Sequence, residues 1–168
     1  MSKTKTKPFK SPYSFYTEPF ALQDRPKRFL DSFAAILKHS NYRFILDMYS
    51  KVSAKCSRCA VSCQIYQASD DPRHIPCYRT ELLMKVYRRH FTYAGKTRGR
   101  LFGTPGLTDA DIDEMAEAFY QCTACRRCTL ECPMGIEHGL MTRLGRWILA
   151  EIGIAPKALV VATRAQLE

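Results

Sequence analysis

Residues 122–133 read C-T-A-C-R-R-C-T-L-E-C-P, a cysteine spacing of C-x2-C-x2-C-x3-C followed by proline. Three thiolates on so short a turn can ligate one iron-sulfur cubane, and in proteins with two cubanes the fourth cysteine of this spacing ligates the other one. The spacing therefore predicts two 4Fe-4S clusters as cofactors. It also requires a second set of cysteines elsewhere in the chain.

Four more cysteines lie nearer the amino terminus: Cys56, Cys59, Cys63 and Cys77. The first three have the spacing C-x2-C-x3-C, which matches the last three cysteines of the other motif. In this alignment Ser53 stands where the first cysteine would be, and Gln64 replaces the proline. Cys77 is the obvious replacement ligand, and it follows residues 69–76, whose prolines predict a loop.

The geometry of such turns divides the cysteines between the clusters. A turn of six or seven residues can present three sulfurs to one cubane, whereas the cysteine four positions further on begins a helix that points away from it. We therefore assign cluster 1 to Cys122, Cys125, Cys128 and Cys63, and cluster 2 to Cys56, Cys59, Cys77 and Cys132. Cys63 and Cys77 could exchange roles, and the spacing leaves that alternative open.

C-x2-C pairs also build four-cysteine zinc sites, and a basic chain could use them to bind nucleic acid. A four-cysteine zinc site is built from two such pairs. It does not require a third cysteine at the same spacing or a fourth cysteine before proline. We therefore expect iron-sulfur clusters and no nucleic-acid partner. A zinc-dependent nucleic-acid binder stays as a remote alternative.

The composition indicates a basic metal-binding domain. The chain has 168 residues, eight cysteines and a formal net charge of +10, and its length fits one domain. Cysteines at this spacing with no signal peptide indicate metal ligation in a reducing, cytoplasmic compartment. Eight thiolates and two oxidised cubane cores lower the net charge only to about +6. No apolar run approaches the roughly 18 residues that span a bilayer.

Apolar residues at helical spacing predict an all-α fold with the two cluster turns at its centre. The order is helix, cysteine turn, helix, twice over. Helices are expected after Asp24, after Asn41, over residues 79–91, after Thr108, after Gly139 and over residues 157–166. Residues 94–108 contain four glycines and predict a loop that lacks the spacing of a phosphate-binding loop.

Residues 1–24 combine lysines and aromatic residues with no helical period. They predict an extended arm ahead of a helical domain over residues 25–168. The arm is either a disordered basic tail or a strand that wraps a partner, because interleaved aromatic residues can act as anchors.

Several other polar residues lie close to cysteines in the sequence. His74 and His138 could hydrogen-bond near a cluster and tune it, but we expect ordinary surface histidines. Arg126 and Arg127 lie within the second cysteine turn. There they could offset cluster charge or meet an acidic partner, or they could simply be solvated.

The cysteine regions resemble those of helical two-cluster ferredoxins, which occur in the C subunit of heterodisulfide reductase and in the iron-sulfur subunits of anaerobic glycerol-3-phosphate dehydrogenase and succinate dehydrogenase. The resemblance rests on residues 56–66 and 122–135 and extends in helical outline over about residues 40–152. Within this group the chain looks most like the amino-terminal module of heterodisulfide-reductase-like subunits of membrane redox complexes.

The resemblance implies an electron-transfer subunit of a larger, membrane-associated anaerobic oxidoreductase. Its partners would be a flavin, haem or iron-sulfur subunit and a quinone-linked membrane subunit, with this chain peripheral on the inner face of the cell membrane. The sequence contains no visible nucleophile, base or substrate pocket, and none of the C-C-G repeats that hold a disulfide-reducing cluster, so we expect no catalytic residues. The alternative is part of a catalytic disulfide- or thiol-reducing subunit whose active-site half lies elsewhere.

Overall fold

The computed structural model describes residues 15–17, 23–53, 55–103 and 106–166. Within these residues the chain forms nine helices and two short strands, so the prediction of an all-α fold is confirmed. The elements are β1 (Phe15–Thr17), α1 (Arg25–His39), α2 (Tyr42–Val52), α3 (Gln64–Ser69), α4 (Pro76–His90), α5 (Tyr93–Phe102), α6 (Asp109–Tyr120), α7 (Arg127–Leu130), α8 (His138–Glu151), β2 (Ile154–Pro156) and α9 (Lys157–Ala165). Short 3-10 turns cover Arg58–Ala60 and Pro72–His74.

Helices α4 and α8 pack against each other at the centre, with α2 against α4 and α6 against α8. The predicted order of helix, cysteine turn, helix is therefore present twice. The largest completely buried side chains come from α1, α2, α4, α6 and α8: Phe29, Phe33, Leu46, Leu83, Met84, Tyr87, Ile112, Met115, Phe119, Met141, Leu144 and Ile148. Each such side chain stabilises the fold by about 1.5–3 kcal/mol relative to exposure, so this core holds the two cysteine turns in place.

The helix that the sequence predicts after Thr108 is α6, and a capping box fixes its start. Thr108 donates its backbone N–H to Asp111 Oδ2 at 2.9 Å, and Asp111 donates its own to Thr108 Oγ1 at 3.2 Å. Arg25, in the first turn of α1, pairs with Asp113 and, at 3.9 Å, with Asp109. The first turns of α1 and α6 are thereby joined.

The prediction of a loop over residues 94–108 is wrong, because most of this segment belongs to α5. A Cβ atom at Gly95 would lie 1.8 Å from the carbonyl oxygen of Arg88, and one at Gly99 would lie 1.7 Å from Nη1 of Arg89. The glycines therefore allow α5 to pack directly on the end of α4. This tertiary contact outweighs the low helix propensity of glycine.

The predicted loop over residues 69–76 is also partly wrong. It contains the 3-10 turn Pro72–His74, and α4 begins at Pro76 rather than at Arg79. Proline suits the first turn of a helix because its missing N–H would have no partner there. Cys77 consequently lies in the first turn of a helix.

Part of the predicted amino-terminal arm is described. Residues 15–17 form β1, which pairs antiparallel with β2 so that Tyr16 lies opposite Ala155. Residues 1–14 and 18–22 lie outside the described residues, so both interpretations of the arm and its boundary at residue 24 stay predictions. Among the helices of the described residues, none combines the length and the apolar character needed to cross a membrane.

Gly145 is the point at which α8 packs on the Phe119 ring of α6. A Cβ atom at Gly145 would lie 2.2 Å from that ring, which is completely buried. Gly145→Ala gains about 1 kcal/mol of helix propensity, but overpacking a filled core costs about 1–3 kcal/mol. Because the ring has no free space to enter, we expect a net loss that lowers the apparent midpoint of thermal unfolding by about 2–6 °C.

Gly106→Ala is the matched control for this variant, because nothing lies within 4 Å of the Cβ it would add. Its unfolding midpoint should equal that of the parent protein. Equal midpoints for Gly145→Ala and Gly106→Ala would contradict the close packing of α8 on α6.

Candidate metal centre

The two cysteine turns have the same backbone conformation. When Ser53 is set against Cys122, as the sequence alignment requires, the residues with left-handed φ angles coincide. They are Lys55 and Ala124, with φ of 50° and 55°, and Ser57 and Arg126, with φ of 58° and 63°. Such angles are uncommon outside glycine, so their recurrence at matching positions supports the alignment.

The hydrogen bonds of the two turns also coincide. Ala60 donates its N–H to the carbonyl of Ser57 at 2.9 Å, and the matching bond from Thr129 to Arg126 is 3.0 Å. The next bond is equivalent as well: from Cys63 to Ala60 at 3.2 Å and from Cys132 to Thr129 at 3.3 Å. The turns are therefore structural repeats, in which Ser53 holds the place of Cys122.

Cysteines from both turns line one pocket: Cys63, Cys122, Cys125 and Cys128. This is the set that the sequence assigned to cluster 1. Gln64 Nε2 donates to Thr123 Oγ1 at 2.8 Å, which ties the end of the first turn to the start of the second. The pocket presents four soft thiol ligands and fits an iron-sulfur cluster.

Cys77 lies against the first turn. It lies beside Cys59, and its Sγ is 3.7 Å from Ser57 Oγ. Interaction with Cys59 and Ser57 lowers the pKa of Cys77 to about 6, and the presence of Cys77 raises the pKa of Cys59. Cys77 therefore favours the thiolate, which is the form that ligates metal.

The other two members of the predicted cluster 2 differ in their surroundings. Cys56 is exposed on the first turn. Cys132 packs against the hydrophobic core, and its Sγ accepts the backbone N–H of Ile136 at 3.4 Å. Within the described residues, no group of three or more Cys, His, Asp or Glu side chains is arranged to hold a single metal ion.

The thiols of the second turn ionise unequally. Burial, assisted by Cys122, raises the pKa of Cys128 to about 11. The backbone N–H of Arg127 lowers the pKa of Cys125. Metal binding must therefore displace a proton from the buried Cys128, so assembly of a cluster in this pocket is coupled to proton release.

Arg146, which the sequence analysis did not identify, positions the second turn. From α8 its guanidinium donates to the carbonyl oxygens of Phe119 at 2.7 Å, of Tyr120 at 3.5 Å and of Cys122. It also lies 5.5 Å from the centroid of the Tyr120 ring. These bonds satisfy the last carbonyls of α6 and fix the residue at which the turn begins.

The expectation that His74 and His138 are surface residues is wrong, because their exposed fractions are 6% and 4%. His138 Nδ1 lies 2.7 Å from Thr80 Oγ1, and His74 Nδ1 lies 2.6 Å from Ser69 Oγ. Burial lowers both pKa values, that of His138 to about 4. The contact of His74 with a ligand is through its backbone, since its carbonyl oxygen accepts from Cys63 Sγ at 3.6 Å.

Comparison with known proteins agrees with this geometry. Residues 54–136 match the family described as the 4Fe-4S dicluster domain. The chain carries a 4Fe-4S dicluster domain. This domain holds two 4Fe-4S clusters, which confirms the cofactors predicted from the cysteine spacing. The zinc alternative is set aside.

Two known proteins are similar to this chain over most of its length. The first is iron-sulfur subunit 2 of an Hdr-like menaquinol oxidoreductase from Archaeoglobus fulgidus, 32% identical over 160 residues, which are 94% of this chain and 28% of the relative. The second is the iron-sulfur subunit of an Hdr-like menaquinol oxidoreductase from Archaeoglobus profundus, 30% identical over 164 residues, which are 94% of this chain and 29% of the relative. The predicted resemblance to heterodisulfide-reductase-like subunits is confirmed. The dicluster chain spans less than a third of the length of these relatives, and no solved structure matches it.

Proposed function

We propose that this chain relays single electrons through its two 4Fe-4S clusters within a larger oxidoreductase complex. The observation that carries the proposal is the pocket in which Cys63 of the first turn joins three cysteines of the second. A cluster held by both turns lies between the two halves of the repeat, where electrons can pass from one half to the other.

The proposed ligands of cluster 1 are those of this pocket: Cys63, Cys122, Cys125 and Cys128. For cluster 2 we propose Cys56, Cys59, Cys77 and Cys132. The proximity of Cys77 to Cys59 supports the second set, and the matching conformation of the two turns supports Cys132 as the counterpart of Cys63. A 4Fe-4S cluster bound by either set supplies one-electron redox chemistry.

The protein contributes rigidity and exclusion of water. Cys59, Cys63 and Cys128 are buried. Hydrogen bonds to cluster sulfurs and burial are the features that set the reduction potential of such centres. Arg146 holds the second turn on α6, so the ligands need little rearrangement when an electron arrives.

The names of the relatives support a role in a quinol-linked complex. Both are iron-sulfur subunits of Hdr-like menaquinol oxidoreductases. By analogy, this chain would pass electrons between a quinone-linked membrane subunit and a flavin, haem or iron-sulfur subunit, and would lie on the inner face of the cell membrane. Its net charge of +10 favours acidic partners or anionic headgroups.

The test is anaerobic purification followed by iron and sulfide analysis and a reductive titration monitored by electron paramagnetic resonance. We expect about eight irons and eight sulfides per chain, and two reductions of one electron each. Protein stripped of iron is the control and should take up no electrons. Fewer than two clusters, or reduction of an added disulfide by the isolated chain, would contradict an electron relay.

A further inference from the structure

Arg79 is a buried cation with no charged partner among the residues that the structure describes. It lies in α4, and its exposed fraction is 2%. Its Nε and Nη1 atoms have no hydrogen-bond partner within the described residues. None of the ion pairs found among those residues includes it.

Such a side chain is unfavourable in a protein interior unless something negative lies beside it. A buried charge loses its hydration, and the loss is offset only by an opposite charge or by hydrogen bonds to all of its polar groups. A lysine or arginine with no role is normally placed at the surface, where its charge is solvated. The position of Arg79 therefore points to a negatively charged group next to it.

The surroundings of Arg79 identify that group. Arg79 lines the same pocket as the four cysteines of the proposed cluster 1. Its Nη2 atom lies 3.6 Å from Sγ of Cys63, to which it donates a hydrogen bond. A cubane with four thiolate ligands carries net negative charge, so the pocket would supply the counter-charge that Arg79 lacks.

We propose that Arg79 tunes cluster 1: its guanidinium donates to the Cys63 sulfur, offsets the charge of the cluster and raises the cluster's reduction potential. The sign follows from electrostatics, because reduction adds a negative charge that a nearby cation stabilises. Arg79 is a positioning residue and takes no part in electron transfer itself. The inference rests on the proposed function, since it needs Cys63 to ligate cluster 1.

This contact makes the two halves of the repeat unequal. Cys63 receives a charged donor, whereas its counterpart Cys132 receives the neutral backbone N–H of Ile136. Hydrogen bonds from charged donors are the stronger of the two kinds. This contact therefore favours a higher reduction potential at cluster 1 than at cluster 2.

The experiment compares the purified two-cluster protein with Arg79→Gln and Arg79→Lys in a redox titration monitored by electron paramagnetic resonance. In Arg79→Gln, the ratio of reduced to oxidised cluster 1 at fixed ambient potential should fall at least tenfold, which is about 59 mV for a one-electron couple. Arg79→Lys keeps the charge and should stay closer to the parent protein. The wave that moves should be the wave that Cys63→Ser alters, and the wave that Cys132→Ser alters should stay in place.

Arg98→Gln is the matched control, because it removes the same charge from an exposed position on α5, outside the cysteine pocket. Solvent screens that charge, so this variant should shift either wave much less. The inference would be overturned, and the electron relay left standing, if Arg79→Gln and Arg98→Gln shifted the potential equally, or if Arg79→Lys and Arg79→Gln did. A parent protein with fewer than two clusters would overturn both.

Discussion

Replacing Cys63 by alanine is expected to damage the cluster held by the other cysteine turn. Cys63 lines the pocket formed by Cys122, Cys125 and Cys128. The next residue, Gln64, donates a hydrogen bond to Thr123 of the other turn. Without the fourth thiolate that cluster loses iron, and the iron content should fall from about eight per chain towards about four. Metal analysis of anaerobically purified protein measures the loss.

Two double variants reveal which cluster Cys63 serves. Cys63→Ala combined with Cys125→Ala removes two ligands of one cluster, so the iron content should stay near about four per chain. Cys63→Ala combined with Cys56→Ala removes one ligand from each cluster, and should leave almost no iron. Ligands of a single cluster act as a unit and are non-additive, whereas ligands of separate clusters add.

The two double variants are matched controls for each other, because each removes two thiols. The reverse result, near-total loss with Cys125 and partial loss with Cys56, would show that Cys63 ligates the same cluster as Cys56. That is the result expected if Cys63 and Cys77 exchange the roles proposed for them.

A second large effect is expected when Cys77 is removed and a new cysteine at position 53 replaces it as a ligand of cluster 2. Cys77→Ala should remove cluster 2 and lower the iron content to about four per chain. Adding Ser53→Cys to this variant should return it to about eight. The reason is the repeat: Ser53 directly follows α2, and it holds the position that Cys122 holds before the second turn.

Iron analysis and the electron paramagnetic resonance signal of cluster 2 would measure this recovery. Ser50→Cys added to Cys77→Ala is the control, because it introduces a thiol one turn earlier in α2, away from the repeated position. Equal iron in the two double variants would contradict the equivalence of Ser53 and Cys122. Full iron content in Cys77→Ala alone would contradict Cys77 as a ligand.

Local patterns in the sequence predict much of this structure. The spacing of cysteines determines the backbone of a short turn, so the alignment of the two motifs agrees with matching φ angles at Ser57 and Arg126. Helix starts marked by local chemistry, such as Thr108 with Asp111, are also where the sequence indicates them. These features depend on neighbours within a few residues.

Features that depend on distant contacts were not predicted. Gly95 and Gly99 suggest a loop because glycine has low helix propensity, but in the structure they permit close contact between α5 and α4. Their spacing of four residues puts them on one face of a helix, and this was the pattern that could have indicated the contact. The burial of His138 depends on Thr80 from another helix. Arg79 shares a helical stripe with Leu83 and Val86, and a charge on an apolar stripe is the pattern that could have revealed it.

The first turn of helix α4 carries Cys77 and, two residues later, Arg79. Under the proposed assignment, one helical turn therefore supplies a ligand to one redox centre and a counter-charge to the other. Any force on α4, for instance from a subunit bound to its outer end, would act on both centres at once. Each potential would then change by its own amount, so the driving force between the two clusters would depend on the position of a single helix.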